Sequence, residues 1–286
     1  MDGEATARKR GAPVVSRPRH PADLFLPKPG GLAGAVGPYL GARRPLAAAL
    51  VIWIVAFVLL GGAIIGLGLL LTRVLLGAGL DAVDAEAIRW FVAERTAAAD
   101  TLSRWASDVG STGVILAVSV VTGIVLVLRG HWRQFGFLLF ALTLEFSLFL
   151  LTVTIVNRDR PDVAQLDAAP PTSSFPSGHT AASWTLYLGL AIVVTSLVRS
   201  ARVRALVWVA AVALPLLVTG SRMYRGMHFP TDVIAGALLA CTALLVALFA
   251  VRCTVAATAE RDRQAAERER AATEPPPDNP PEEVVS

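Results

Sequence analysis

The sequence predicts an all-α protein: a polytopic membrane bundle of six transmembrane helices. Three observations carry that prediction. Hydrophobic residues make up 54% of the 286-residue chain and charged residues only 17%. The apolar residues fall in long runs with one charge or none, the pattern of helices that cross a hydrocarbon core about 30 Å thick. The charges gather at the ends of those runs, so the sequence pI of about 9.6 describes loops and tails. It does not describe a nucleic-acid-binding face.

Residues 1–44 are rich in Pro, Gly, Ala and Arg and lack a sustained period, which predicts a disordered, basic, cytoplasmic tail. A cleaved signal peptide is not expected, because the first apolar run begins near Leu46 and is far longer than an h-region. The first span is expected over residues 45–71. The connection 73–110 is more polar, with Ile88, Phe91, Val92, Leu102 and Trp105 at roughly helical spacing. That spacing predicts amphipathic helix lying at the interface, anchored by Trp90 and Trp105. Two roles are open to it: a lid over a lipid site, or a plain connector.

The second and third spans are expected over 111–128 and 135–156. Glu145 falls in the middle of the third, where a carboxyl is costly. It precedes Asn157 by twelve residues, roughly 18 Å of helix, so a hydrogen bond to another helix is expected of it. The fourth span is expected over 179–198, the fifth over 205–220 with a kink at Pro215, and the sixth over 231–251. Residues 260–270 alternate opposite charges at helical spacing, as a solvated helix does. The chain thus divides into a tail (1–44), a membrane domain (45–251) and a charged, Pro-rich cytoplasmic tail (252–286). Cys241 and Cys253 read as packing residues.

Cationic residues orient the bundle. Eight Lys and Arg lie in residues 1–44, two Arg in 129–134 and three in 199–204. With six spans these segments and both termini share the cytoplasmic side of the plasma membrane. Three polar clusters then fall on the extracytoplasmic side: 157–161 (Asn-Arg-Asp-Arg-Pro), 174–180 (Ser-Phe-Pro-Ser-Gly-His-Thr) and 221–232. Arginines placed against the topological trend need a local reason, and an anion is the simplest.

The clusters contain the parts of a phosphoryl-transfer site. Arg158, Arg160 and Arg222 can fork onto phosphate oxygens. Ser177 and Gly178 open a helix whose first amides are free for an anion. His228 and Asp232 are four apart at a helix start, so the carboxylate can sit on one ring nitrogen while the other attacks phosphorus. His179, without a carboxylate nearby in sequence, suits the acid–base role. Asp159, Asp162 and Asp167 could in principle hold Mg²⁺, but the arginines already supply such charge, and neither metal nor cofactor is expected.

These clusters resemble the signature motifs of the type 2 phosphatidic acid phosphatase family, which shares its site with vanadium haloperoxidases. The family pattern is Lys-x6-Arg-Pro, Pro-Ser-Gly-His and Ser-Arg-x5-His-x3-Asp. The second is complete at Pro176–His179. The third is complete at Ser221, Arg222, His228 and Asp232. The first keeps Arg160-Pro161, but its lysine position falls on Val153, and no lysine occurs beyond Lys28. Arg158 is expected to supply the missing charge. The resemblance implies an integral-membrane hydrolase acting on a lipid phosphate or pyrophosphate through a phosphohistidine. A lipid phosphotransferase and a non-catalytic lipid-phosphate binding or transport protein are the alternatives. No half-repeat of the kind common in transporters is visible. Haloperoxidase activity would need a soluble scaffold, which this composition excludes.

Overall fold

The computed structural model describes residues 24–41, 44–169 and 171–273. All regular structure among them is helical: α1 (Leu32–Gly41), α2 (Pro45–Leu70), a π-helical segment (Leu71–Leu80), α3 (Asp81–Ala93), α4 (Ala97–Val109), α5 (Thr112–Leu128), α6 (Trp132–Ile155), α7 (Gly178–Leu197), α8 (Ala201–Tyr224) and α9 (Pro230–Thr273). Five helical stretches are long and apolar enough to cross a membrane; α4 and α5, bent by 42°, make a sixth when taken together.

α9 is the axis of the bundle, with α1, α2, α6 and α7 packed around it. Its inward face carries Ala235, Gly236, Ala240, Ala243, Ala247 and Ala250, all buried. Small residues at this spacing let helices approach closely, which is how bundles pack where lipid offers no hydrophobic drive. Larger side chains from α6, among them Phe137, Leu144 and Leu148, fill the space left against them. The outward faces of α2, α5, α8 and α9 expose Val58, Val121, Leu216 and Leu245, the apolar coat a bilayer requires.

Local chemistry sets the helix ends. Thr96, Ser111 and Ser200 each accept a hydrogen bond from the amide three residues on, so α4, α5 and α8 start on side-chain caps. Beyond α2 the chain turns at Gly79, whose φ of 103° costs glycine nothing and a residue with a Cβ a good deal. α3 leaves from that turn across the end of the bundle where α6 and α8 finish and α7 and α9 begin. The connection is therefore two helices joined by a corner, with Ile88 buried and Trp90 and Trp105 exposed.

Three expectations are corrected. Residues 24–41 are ordered and not a free tail: Phe25 meets Phe137 edge-on at 5.3 Å between centroids, and Arg252 Nε donates to the Leu24 carbonyl at 2.8 Å. The remainder of that tail lies outside the described residues. α9 does not stop at 251 but continues to Thr273, merging the sixth span with the solvated charged helix. The α8 helix continues through Pro215, with the Thr219 hydroxyl donating to the Pro215 carbonyl. Glu145 is buried, yet no side-chain hydrogen bond joins it to another helix among the described residues. Its neighbours on α6, Leu144 and Leu148, belong to the apolar core.

Candidate active site

The end of α6, the loop 156–177, the start of α7, the end of α8 and the start of α9 meet at one end of the bundle. Two backbone hydrogen bonds fix the loop there: Ser174 N donates to Arg158 O at 2.8 Å, and Ser177 N to Asp232 O at 3.1 Å. Gly236 makes the second approach possible, since a Cβ on it would stand 2.7 Å from the Ser177 carbonyl oxygen. Ser177 does not cap α7 with its side chain. Its hydroxyl accepts instead from the Thr180 hydroxyl at 3.0 Å, so the first-turn amides at Gly178 and His179 have no side-chain partner.

His228 is buried, and its ring is held from one side. Nδ1 lies 2.8 Å from the Ser174 carbonyl oxygen and 3.8 Å from Asp232 Oδ2. A carbonyl can only accept, so Nδ1 carries the proton and Nε2 keeps its lone pair. Nε2 faces Arg160 Nη1 at 3.4 Å, long for a hydrogen bond. The expected ring partner, Asp232, is therefore replaced by a backbone carbonyl. The reason is geometric: Asp232 is held by the Ser174 hydroxyl at 2.5 Å, by the Phe229 amide at 2.9 Å and by Arg158 Nη1. Burial pushes the His228 imidazole below its ordinary value, and the Asp232 charge only partly opposes this.

Arg158 does not sit where the sequence placed it. Its two Nη atoms go to carboxylates, Nη1 to Asp232 and Nη2 to Asp84 at 2.6 Å, and its guanidinium lies 4.4 Å from the Phe229 ring centre. With both forks on acids and 5% exposure, its charge is spent on Asp84 and Asp232, although its Nε, like those of Arg160 and Arg222, is buried without a partner. Sequence reasoning missed Asp84 entirely. It lies 74 residues from Arg158 on the connection, where no spacing rule reaches.

Arg160 and Arg222 are the guanidiniums nearest the histidines. Arg160 Nη1 donates to the Met227 carbonyl at 2.9 Å. Arg222 Nη1 donates to Ser107 Oγ at 2.7 Å and Asp167 Oδ2 at 2.8 Å. Nε of each is buried without a partner. Burial lowers the Arg160 pKa against the raising effect of Asp232, but a guanidinium stays charged at any working pH. His179 is half-buried at the same hollow and feels the charges of Arg222, His228, Asp167 and Arg160.

Asp167, weighed above as a Mg²⁺ ligand, is taken by arginines. Besides Arg222 it accepts from Arg225 Nε at 2.8 Å and Nη2 at 2.6 Å. Burial would raise its pKa, but the Arg225 hydrogen bond and the two cationic neighbours outweigh that and hold it below the usual carboxylate range. Arg225 is 2% exposed and also reaches the Asp100 carbonyl, Ser103 Oγ and the Leu166 carbonyl, locking α4 to the loop. The bond to Asp167 in turn raises Arg225. Asp159 and Asp162, by contrast, line a cavity of about 550 Å³ beside Arg160, along with Asp84, Arg89, Phe229 and Leu76.

Part of the chain is similar to known proteins. Residues 134–256 match the family model described as the PAP2 superfamily. The fold is similar to that of a transmembrane PAP2-type phosphatidylglycerolphosphate phosphatase from Bacillus subtilis, with a TM-score of 0.56 at 23% identity, over 69% of this chain and 92% of that one. Aquifex aeolicus LpxE aligns at 26% identity with a TM-score of 0.47, over 58% of this chain and 94% of that one. No curated protein matches the chain. The protein is thus a polytopic helical membrane protein whose residues 134–256, which include all three polar clusters, are similar to the PAP2 superfamily.

Proposed function

We propose that the protein is an integral-membrane lipid phosphatase that works through a phosphohistidine, with residues 45–251 as its catalytic domain. The observation that carries this reading is the His228 ring: a buried imidazole with Nδ1–H fixed on a carbonyl and a free Nε2 facing an arginine. Nε2 attacks phosphorus, the P–N bond forms as the P–O bond to the lipid breaks, and His179 gives its proton to the departing alkoxide. A bound phosphate dianion favours the protonated form of His179 by its charge. Water then attacks the phosphohistidine, His179 takes a proton from it, and the P–N bond breaks to release inorganic phosphate.

Arg160, Arg222 and the first amides of α7 hold the charge that builds on the equatorial oxygens. The unpartnered Nε groups are donors waiting for an acceptor, and phosphate oxygens are one. No metal has a step in this scheme, because Arg160, Arg222 and the helix amides already supply the positive charge that the phosphate needs. With Arg158 neutralised by two acids, the pocket holds fewer cations than the family pattern supplies. That favours a monophosphate ester over a pyrophosphate.

The test is phosphate release by purified protein from lipid mono- and pyrophosphates in detergent, with and without EDTA, with acid-labile phosphoenzyme trapped in parallel. Release unaffected by EDTA, with label lost in His228→Ala, is the expected result. Absence of release from every phospholipid, or label persisting without His228, would overturn the reading. The positive-inside pattern supports an extracytoplasmic site, in what we read as the plasma membrane. Reporter fusions at residues 131 and 201 should therefore read cytoplasm and one at 168 the outside; a cytoplasmic signal at 168 reverses the orientation.

A further inference from the structure

Three buried charges stand in a row behind His228. Asp84, 1% exposed, comes from α3; Arg158, 5% exposed, from the α6–α7 loop; Asp232, 0% exposed, from the start of α9. Arg158 Nη2 bonds Asp84 Oδ2 at 2.6 Å and Nη1 bonds Asp232 Oδ1. Thr231 stitches the row together: its hydroxyl donates to Asp84 Oδ2 at 2.5 Å and accepts from Arg158 Nη1 at 2.7 Å. Its amide also donates to Asp84 Oδ1 at 3.3 Å.

An arginine placed directly on Asp232 should work against catalysis. Attack on phosphorus leaves His228 with positive charge, and Asp232, 3.8 Å from Nδ1, is the anion that faces it. Arg158 alone would cancel that anion. Asp84 cancels Arg158 instead, so the row carries a net charge of about −1 and becomes neutral when His228 turns cationic.

We propose that Asp84 and Arg158 are a positioning pair for the phosphoryl-transfer reaction: Asp84 balances Arg158 so that Asp232 keeps its negative charge for His228. This rests on the phosphatase reading above. It also gives the 73–110 connection a role beyond covering the site, since α3 supplies a charge on which the nucleophile depends. The other groups facing His228 are Arg160 from the loop, His179 from α7 and Arg222 from α8. None of them is altered in the variants below, so they set the starting value and drop out of the comparison.

The test counts charges. Asp84→Asn keeps the size of the side chain and takes the row to zero. Arg158→Met takes it to −2. The double variant returns it to −1. The imidazole of His228 is followed in full-length protein in detergent by NMR of ¹⁵N-labelled histidine, its signal assigned by loss in His228→Gln. The acid limb of kcat/KM for a lipid monophosphate is measured alongside. The titration midpoint should fall by about one pH unit in Asp84→Asn, rise by a similar amount in Arg158→Met and lie near wild type in the double variant. The acid limb should follow the same order.

Loss of folding cannot produce shifts of opposite sign, and if one single variant does not fold, the other and the double variant still carry the comparison. Equal midpoints in all folded variants, or a double variant no closer to wild type than the singles, would overturn the proposal. Midpoints that move as expected in a protein that releases no phosphate would uphold the charge balance and sink the phosphatase reading instead.

Discussion

His228 is oriented by Ser174. The Ser174 carbonyl oxygen lies 2.8 Å from Nδ1, a full ångström closer than the Asp232 carboxylate at 3.8 Å. Since a carbonyl cannot donate, the tautomer with a free Nε2 is fixed by backbone, and Asp232 is left to act through charge. The loop residue that holds the ring is itself tied back to Asp232 through its hydroxyl, so hydrogen bonds join ring, loop and carboxylate.

This division of labour predicts the effect of Asp232→Asn. In a site where the carboxylate alone sets the tautomer, the amide allows the wrong one and the loss approaches that of deleting a catalytic residue. Here the Ser174 carbonyl remains. Asp232→Asn should lower kcat by roughly 10²-fold, the cost of an unbalanced imidazolium, and leave KM nearly unchanged. The check is steady-state kinetics beside His228→Ala, which should show no turnover. An Asp232→Asn enzyme as inactive as His228→Ala would mean the carboxylate orients the ring after all.

The pH profile follows from the buried ring. The nucleophile is the neutral form, and burial keeps the folded-state pKa below the unfolded value. The sign is that of a depressed group: activity and its share of stability are present above the unfolded pKa and are lost as pH falls through the folded one. The acid limb of kcat/KM should therefore lie below about pH 6.5, the free imidazole value. A limb above that value would show that the ring is stabilised as a cation in the resting protein.

Much of this was legible in the sequence, and the failures share one cause. The spans, the convergence of three clusters and the helix start at Ser177 follow from local pattern: apolar runs, Gly and Pro punctuation, and a four-residue spacing of His228 and Asp232. Arg158 was misread because its partners are remote. Sequence spacing puts it next to Arg160, and nothing in it reveals Asp84 across 74 residues. The ordered segment around Phe25 was missed for the same reason, since a Pro- and Gly-rich stretch shows no period and its stability comes from contact with Phe137 and α9. Asp167 was seen as a carboxylate but not as the partner of Arg222 and Arg225, which only folding brings to it.

Arg225 should be a determinant of stability and not of chemistry. It is buried and binds Asp167, the Leu166 carbonyl and Ser103. Arg225→Ala would leave Asp167 with one cation where it had two. Removing one partner of a buried pair costs about 3 kcal/mol or more, reduced here because the Asp167 side chain is 29% exposed. Arg225→Lys should recover little, because an ammonium cannot span both carboxylate oxygens and the carbonyl. Thermal unfolding in detergent measures both. A normal melting temperature for Arg225→Ala would show that the loop is held to α4 without it.

Arg160→Lys separates charge from geometry at the proposed phosphate site. Arg160 spends Nη1 on the Met227 carbonyl, while its Nε is buried with no partner. An orphaned buried donor costs about 1–3 kcal/mol, so the resting protein carries a penalty that a phosphate oxygen can relieve. Lysine keeps the positive charge, loses the Nε donor and loses the planar fork. Binding should then weaken while folding does not. We expect KM for the lipid phosphate to rise roughly 10-fold, equivalent to about 1.4 kcal/mol, with inhibition by inorganic phosphate weakened in the same proportion. kcat should fall as well if the fork tightens on the transition state, and by more than KM rises if that is its main use. The melting temperature should hold or increase, because the unsatisfied donor has gone. An Arg160→Lys protein with unchanged KM and kcat would show that Arg160 acts only as a point charge, and one that melts early would show that the Met227 carbonyl, and not phosphate, is what the guanidinium is there to hold.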